Sequence, residues 1–172
     1  MTIVERFIVL RAKPMSTEIK ERFDLEFVER ALGSRLPDGL RILLLKFVDP
    51  IIFDADVSFR PAERSRWEDT NGLLSLEILY GLTDDDWSLI KMNDTYRGRI
   101  PSEFIAIGDA GGGNQICLDT ATGRVLFWDH EARSGGLSTI AESFDEFSSA
   151  LFIKDRPGRA EGVIEGESFL DF

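Results

Sequence analysis

The sequence predicts an α+β fold, helices first and a β-meander after them, and three observations predict it. Apolar residues between Ile19 and Phe47 recur at helical spacing,. From Phe104 the apolar period drops to two, in three short runs divided by turns,. Near the end, Ser143-Phe144-Asp145-Glu146 has the S-x-x-E spacing that opens a helix,. A chain of 172 residues, 43% hydrophobic with thirteen Phe and three Trp, is sized for one core rather than for disorder or a disulfide scaffold,.

Taken in order, Ile3 to Leu10 is bulky and β-branched and reads as a short strand ended by Pro14,. Ser16 and Thr17 are N-cap candidates for a first helix whose face is Ile19, Phe23, Phe27, Ala31 and Leu32, stopped by Gly33,. Leu36-Pro37-Asp38 starts a second helix with Leu40, Leu43, Leu44 and Phe47 on its apolar side, and Asp49-Pro50 ends it,. Residues 50 to 72 read as a long connection with one strand at Ile51 to Phe53,. Leu73 to Leu82 reads as another strand, and Asp84-Asp85-Asp86 as the acidic start of a helix running through Trp87 and Ile90 towards Tyr96,.

The meander is expected at Phe104 to Gly108, Asn114 to Asp119 and Arg124 to Asp129,. A four-residue turn at Thr120 to Gly123 sets Leu118 opposite Val125 and Ile116 opposite Phe127,. The other face then carries Gln115, Cys117, Leu126 and Trp128, which covers Cys117 in part. Phe144, Phe147, Ala150 and Leu151 mark the face of a closing helix packed on the sheet,. The domain is expected over residues 1–154, with 155–172 as a C-terminal tail or a short docked arm,.

Charge narrows the partners. The net −11 repels nucleic acid and an anionic membrane surface and favours a basic protein,. Residues 54–86 hold nine acids against three bases, and 141–172 hold eight against three. Such segments serve either as solubilising surface or as an acidic docking face. One cysteine, Cys117, leaves no intrachain disulfide to form and suits the cytoplasm,. Glu5, Arg6, Arg11 and Lys13 interrupt the N-terminal apolar run before a signal-peptide core or a membrane span can form,.

Catalytic and cofactor motifs find little support. Gly108-Asp109-Ala110-Gly111-Gly112-Gly113 could cradle phosphate, but no Lys-Ser or Lys-Thr follows, Asp109 opposes an anion, and a strand rather than a helix comes next,. Asp129-His130-Glu131 alternates faces on a strand, so His130 points away from its neighbours and metal binding is not expected. Cys117 and His130 are out of register for a nucleophile and base. The expectation is a binding protein with no enzymatic activity and no cofactor or metal. Trp87 and Phe127 read as core; Trp67, in a charged loop, reads equally as core or as an exposed interface anchor.

Four passages in this order resemble the SUKH superfamily, specifically the Smi/Knr type, similar to the yeast cell-wall-assembly regulator. They are ALGSRLPDGLRILLLKF, IPSEFIAIGDAGGGNQICLD, GRVLFWDHE and SFDEF, all within residues 17–152. The resemblance implies a single α+β unit, a mixed, mostly antiparallel sheet flanked by about four helices. It also implies a bacterial immunity protein that neutralises a toxin, a nuclease among the classes, by direct binding; the alternative is a regulatory interaction scaffold. One departure is that Asp49-Pro50-Ile51-Ile52 stands where an Asn-Gly-Gly-type segment is usual, with Asn71-Gly72 a loose replacement. The family carries no catalytic motif to transfer. The partner-binding expectation therefore rests on Asp54, Asp56, Trp67, Asp84, Asp85, Asp86, Asp109 and Asn114, facing a cognate basic toxin.

Overall fold

The computed structural model describes residues 1–155, so most of the expected tail lies outside the described residues. The N-terminal strand is corrected to a helix, α1, Ile3–Val9. The Thr2 hydroxyl accepts the Glu5 amide and the Glu5 carboxylate accepts the Thr2 amide, closing a capping box that overrides the strand preference of a β-branched run,. Helical spacing then buries Phe7 and Leu10 and leaves Ile8 and Val9 exposed. Arg11 turns the chain through a left-handed φ of 61° into β1, Ala12–Pro14.

Helix α2, Leu25–Leu32, is shorter than its apolar pattern predicts. Asp24, not Ser16 or Thr17, is the cap, accepting from the Glu26 and Phe27 amides, and Ile19 lies fully exposed upstream,. Gly33 ends the helix at φ 75°, as expected,. Helix α3, Asp38–Phe47, follows Pro37 and buries Leu40, Leu43 and Leu44.

Strands β2, Ile51–Phe53, and β3, Val57–Phe59, occupy the first part of the long connection. The single strand expected over Leu73–Leu82 is two, β4 at Leu74–Ser75 and β5 at Ile78–Leu79, and they belong to different sheets. Helix α4, Leu89–Thr95, is capped by Ser88, whose hydroxyl accepts the Lys91 amide; the Asp84–Asp86 run lies one turn upstream rather than in its first turn.

The meander appears as β6, Phe104–Asp109, β7, Gln115–Asp119, and β8, Val125–Trp128. Its register is the expected one, with Ile116 opposite Phe127, Cys117 opposite Leu126 and Leu118 opposite Val125. A fourth strand, β9 at Leu137–Ala141, extends it. Helix α5, Phe144–Ala150, is capped by Ser143 and leads into β10, Phe152–Ile153. Two sheets result, a seven-stranded β1-β2-β5-β6-β7-β8-β9 and a three-stranded β10-β3-β4, and every ladder in them is antiparallel. With five helices among the described residues, the protein is a single α+β domain.

Both faces of the large sheet are covered. On the Cys117 face, Asn93 of α4 grips Ala106, its amide donating to the Ala106 carbonyl at 2.8 Å and its oxygen accepting the Ala106 N–H at 2.9 Å. On the opposite face, Leu118 lies beside Leu36 and Phe144, and α1, α3 and α5 pack together. Phe147 meets Phe59 edge-on at 5.2 Å, which ties α5 to the small sheet. Phe7, Phe59, Phe127, Phe144 and Phe147 are all buried, each contributing about 1.5–3 kcal/mol by leaving water.

Candidate functional site at the glycine-turn end of the sheet

Strand register gathers one set of side chains at a single end of the large sheet. Ile78 faces Asp109, Asp109 faces Gln115, Gln115 faces Trp128 and Trp128 faces Leu137. The connection between β6 and β7 caps this end. Gly111, Gly112 and Gly113 take φ values of 82°, 62° and 88°, a consecutive left-handed run that only glycine adopts without strain,. Asp109 Oδ1 accepts the Gly111 amide at 2.8 Å, and the Ala110 amide donates to the Asn114 carbonyl at 3.0 Å. The turn is also packed from outside: a side chain at Gly111 would meet Glu77, at Gly112 Trp67, and at Gly113 His130.

Beneath it lies a buried polar network centred on Gln115. The Tyr80 hydroxyl donates to Gln115 Oε1. Gln115 Nε2 donates to Tyr96 Oη at 2.9 Å and to the Asn114 carbonyl at 3.0 Å, with Asp109 Oδ2 at 3.3 Å. Burial drives the Tyr80 phenol far above its ordinary pKa, with Asp109 adding to it, so Tyr80 stays a proton donor,. Burial likewise raises the Cys117 thiol, which is fully enclosed and inert, more covered than its sequence position predicts,. The Glu77 carboxyl, partly covered on an otherwise exposed residue, is raised by that partial burial first and by the Asp109 charge second.

Trp67 forms the outer layer. It is half-buried, its ring 5.6 Å from that of His130. Arg66 stacks over Trp67 at 5.5 Å while its fork holds Asp129, Nε to Oδ2 at 2.8 Å and a terminal nitrogen to Oδ1 at 3.0 Å. That fork is the main reason the Asp129 carboxyl is lowered to about 2,. Asn114 Oδ1 accepts the His130 amide at 3.2 Å and lies 3.0 Å from His130 Nδ1. An oxygen already serving as acceptor makes Nδ1 the protonated nitrogen. Consecutive side chains therefore diverge, Asp129 to Arg66 and His130 to Asn114, although Glu131 returns to 3.8 Å from Nε2. Among the described residues no group of three or more His, Cys, Asp or Glu is arranged to hold a metal ion.

The eight residues singled out from the sequence divide between two ends. Asp54, Asp56, Trp67, Asp109 and Asn114 lie at the glycine-turn end. Asp54 pairs with Lys13, and Asp56 shares a cleft of about 280 Å³ with Glu77 and Lys154. Asp109 and Asn114 are buried, so they shape the turn from inside. Asp84, Asp85 and Asp86 lie beyond the far end of β5, where Gly81 abuts Pro50 and the Asp84 amide donates to the Glu21 carbonyl. Asp84 pairs with Lys91 at 3.0 Å; Asp85 accepts from the Thr83 hydroxyl, the Trp87 amide and Lys20; Asp86 is exposed. Sequence reasoning missed Glu77, Gln115, Tyr80 and Tyr96. Gln115 and Trp128 were placed on one face, which was the available hint, while Tyr80 and Tyr96 reach them only through tertiary packing.

The family model described as the SMI1/KNR4 family (SUKH-1) matches residues 23–150. The chain belongs to this family. The SUKH-1 match runs from just before α2 to the end of α5 and includes the whole glycine turn. The chain is also similar to the SPbeta prophage-derived uncharacterized protein YokK of Bacillus subtilis (strain 168). The two are 34% identical over 163 residues, which cover 86% of this chain and 81% of the relative. SUKH proteins include immunity proteins and are generally non-catalytic. Among the described residues no helix is long and apolar enough to cross a membrane.

Proposed function

We propose that this SUKH-1 chain is a non-enzymatic immunity protein of the cytoplasm that binds and occludes a cognate basic toxin, with nucleases the first class to test. The observation that carries the reading is the acidic rim of the glycine-turn end, along which Asp54, Asp56, Glu77 and Glu131 are exposed, Asp54 beside Lys13 and Glu131 beside Arg66 and Trp67. Such a rim attracts a basic surface over a distance and speeds its association. Trp67 supplies the aromatic anchor, and the buried Asp109 and Asn114 hold the turn in shape. Asp84, Asp85 and Asp86 form a second, separate acidic patch that adds to the field.

The test is growth rescue. Co-expression with the toxin candidate from the adjacent gene is expected to restore growth, and the purified pair to associate faster at low salt. Asp54→Asn, Asp56→Asn and Glu77→Gln combined are expected to slow association about 10-fold, more than neutralising Asp84, Asp85 and Asp86 together. An unchanged rate in the first triple variant removes the rim from the proposal. Host proteins captured from lysate in stoichiometric amount, with no rescue, would favour a regulatory scaffold of the cell-wall-regulator type instead.

A further inference from the structure

Two arginines at this end of the sheet lie over aromatic rings, and only one has its charge matched within the described residues. Arg66, over Trp67, is forked onto Asp129 and approaches Glu131 at 3.5 Å. Arg99 lies 5.4 Å from the centroids of both Tyr96 and Trp128, two rings packed edge-on at 5.5 Å. Among the described residues its guanidinium makes no ion pair and no side-chain hydrogen bond. Its backbone is fixed as well, the Arg99 amide donating to the Tyr96 carbonyl at 2.9 Å after a left-handed Gly98. Arg99 is exposed in a chain of net charge −11.

The same arginine stands on the rim of a groove of about 680 Å³ between α2, α4 and the segment leading to β6. Leu32, Ile90, Ile100 and Phe104 give it apolar walls. Of the other polar groups along it, Asn93 is committed to Leu89 and Ala106, and Arg97 to Asp94. A guanidinium stacked on rings keeps its edge open for a bidentate carboxylate, and the stacking has already removed much of its rotamer freedom.

We infer that this groove is a second contact surface, which takes a segment of a protein partner that sets one carboxylate side chain on Arg99 and an adjacent aliphatic side chain against the apolar walls. The inference rests on the reading that the chain binds protein. Charge complementarity selects the occupant: Arg99 is an exposed cation held over two rings at an apolar-walled groove in a chain of net charge −11, so a partner carrying one acidic side chain at the matching place docks in one orientation,. Acidic groups placed elsewhere meet the field of a chain of net charge −11 and are repelled,.

The test uses the full chain with ¹⁵N label and N-acetyl-glutamyl-leucinamide as probe. The arginine Nε–H and tryptophan Nε1–H resonances are followed by NMR up to roughly 20 mM probe, the range in which a single ion pair with one apolar contact saturates. A saturable shift is expected at Arg99 with Trp128 following. Binding is expected to weaken at least 10-fold with the glutaminyl analogue, and, read at the Trp128 Nε1–H, in Arg99→Gln, whose backbone spectrum elsewhere stays that of the parent. No shift at Arg99, or equal shifts at the exposed Arg22, Arg30 and Arg133, overturns the inference. Growth rescue is read separately, so a silent Arg99 with intact rescue rejects only the groove. Absent rescue with a responding Arg99 rejects only the immunity reading.

Discussion

Strand β7 is entered through a turn at Asp109–Asn114 and left through one at Asp119–Arg124, and the two solve the same reversal by different means. The second is self-contained: Asp119 Oδ1 accepts the Ala121 and Thr122 amides at 2.8 and 3.2 Å, and Gly123, at φ 76°, has open space where a side chain would go. The first needs three left-handed glycines and is closed over by Trp67, Glu77 and His130, from three separate parts of the chain. A turn encoded by its own residues is legible and replaceable. A turn encoded by distant contacts is a piece of tertiary structure, and it is this one that caps the candidate site.

The contrast is broken or sharpened most strongly at Gln115. Gln115→Leu strands the Tyr80 hydroxyl and removes a donor from Asp109; it is expected to cost about 3 kcal/mol in urea denaturation, against less than about 0.5 for Thr122→Ala in the other turn,. A loss under about 1 kcal/mol for Gln115→Leu would make the two turns equivalent. Next in size, Gly111→Ala is expected to cost about 2 kcal/mol and Gly123→Ala about 1, both from a left-handed φ. The excess at Gly111 comes from Glu77, whose oxygen lies 2.6 Å from the added carbon. Equal costs would mean that the Glu77 side chain swings away freely.

A further effect is a pH dependence. Asp129 is held at about 2 in the folded protein, led by the Arg66 fork, against an ordinary value of about 3.9,. Its contribution to stability is therefore complete above that ordinary value and is lost as pH falls towards 2. Carboxyl NMR titration is expected to return Asp129 towards the ordinary range in Arg66→Ala. An unmoved midpoint would mean that neighbouring N–H groups, not the fork, hold the charge.

The same distinction between local and distant encoding sorts what the sequence made legible. The β7–β8 register followed from a four-residue turn and alternating side chains, and Gly33, Pro37 and Ser143 marked helix ends through chemistry within a few residues. The T-x-x-E of Thr2 and Glu5 was equally local, yet a run of Ile, Val and Phe masked it; burial of Phe7 and Leu10 three apart shows that the helical period was present. Leu73 to Leu82 keeps a strand-like pattern while changing sheets at Leu76-Glu77, and alternation carries no information about which strand lies alongside. Of the candidate site, Trp67, Asp54 and Asp56 could be picked out by residue type. The burial of Tyr80 and Tyr96 around Gln115, and the seat of Arg99 on Trp128, depend on tertiary packing and strand register, which one chain read in order does not display.

The small sheet carries a consequence for synthesis. Ser58 of β3 pairs with Phe152 of β10, and Val57 with Ile153. At about 5–20 residues per second, β3 waits roughly 5–20 s for the partner that completes its sheet. During that interval it has only the two residues of β4 beside it, and Phe59 lacks the ring of Phe147 that later closes over it. The nascent chain thus carries an open edge at β3 until β10 has been made, and that edge is exposed to misassociation on a crowded ribosome,.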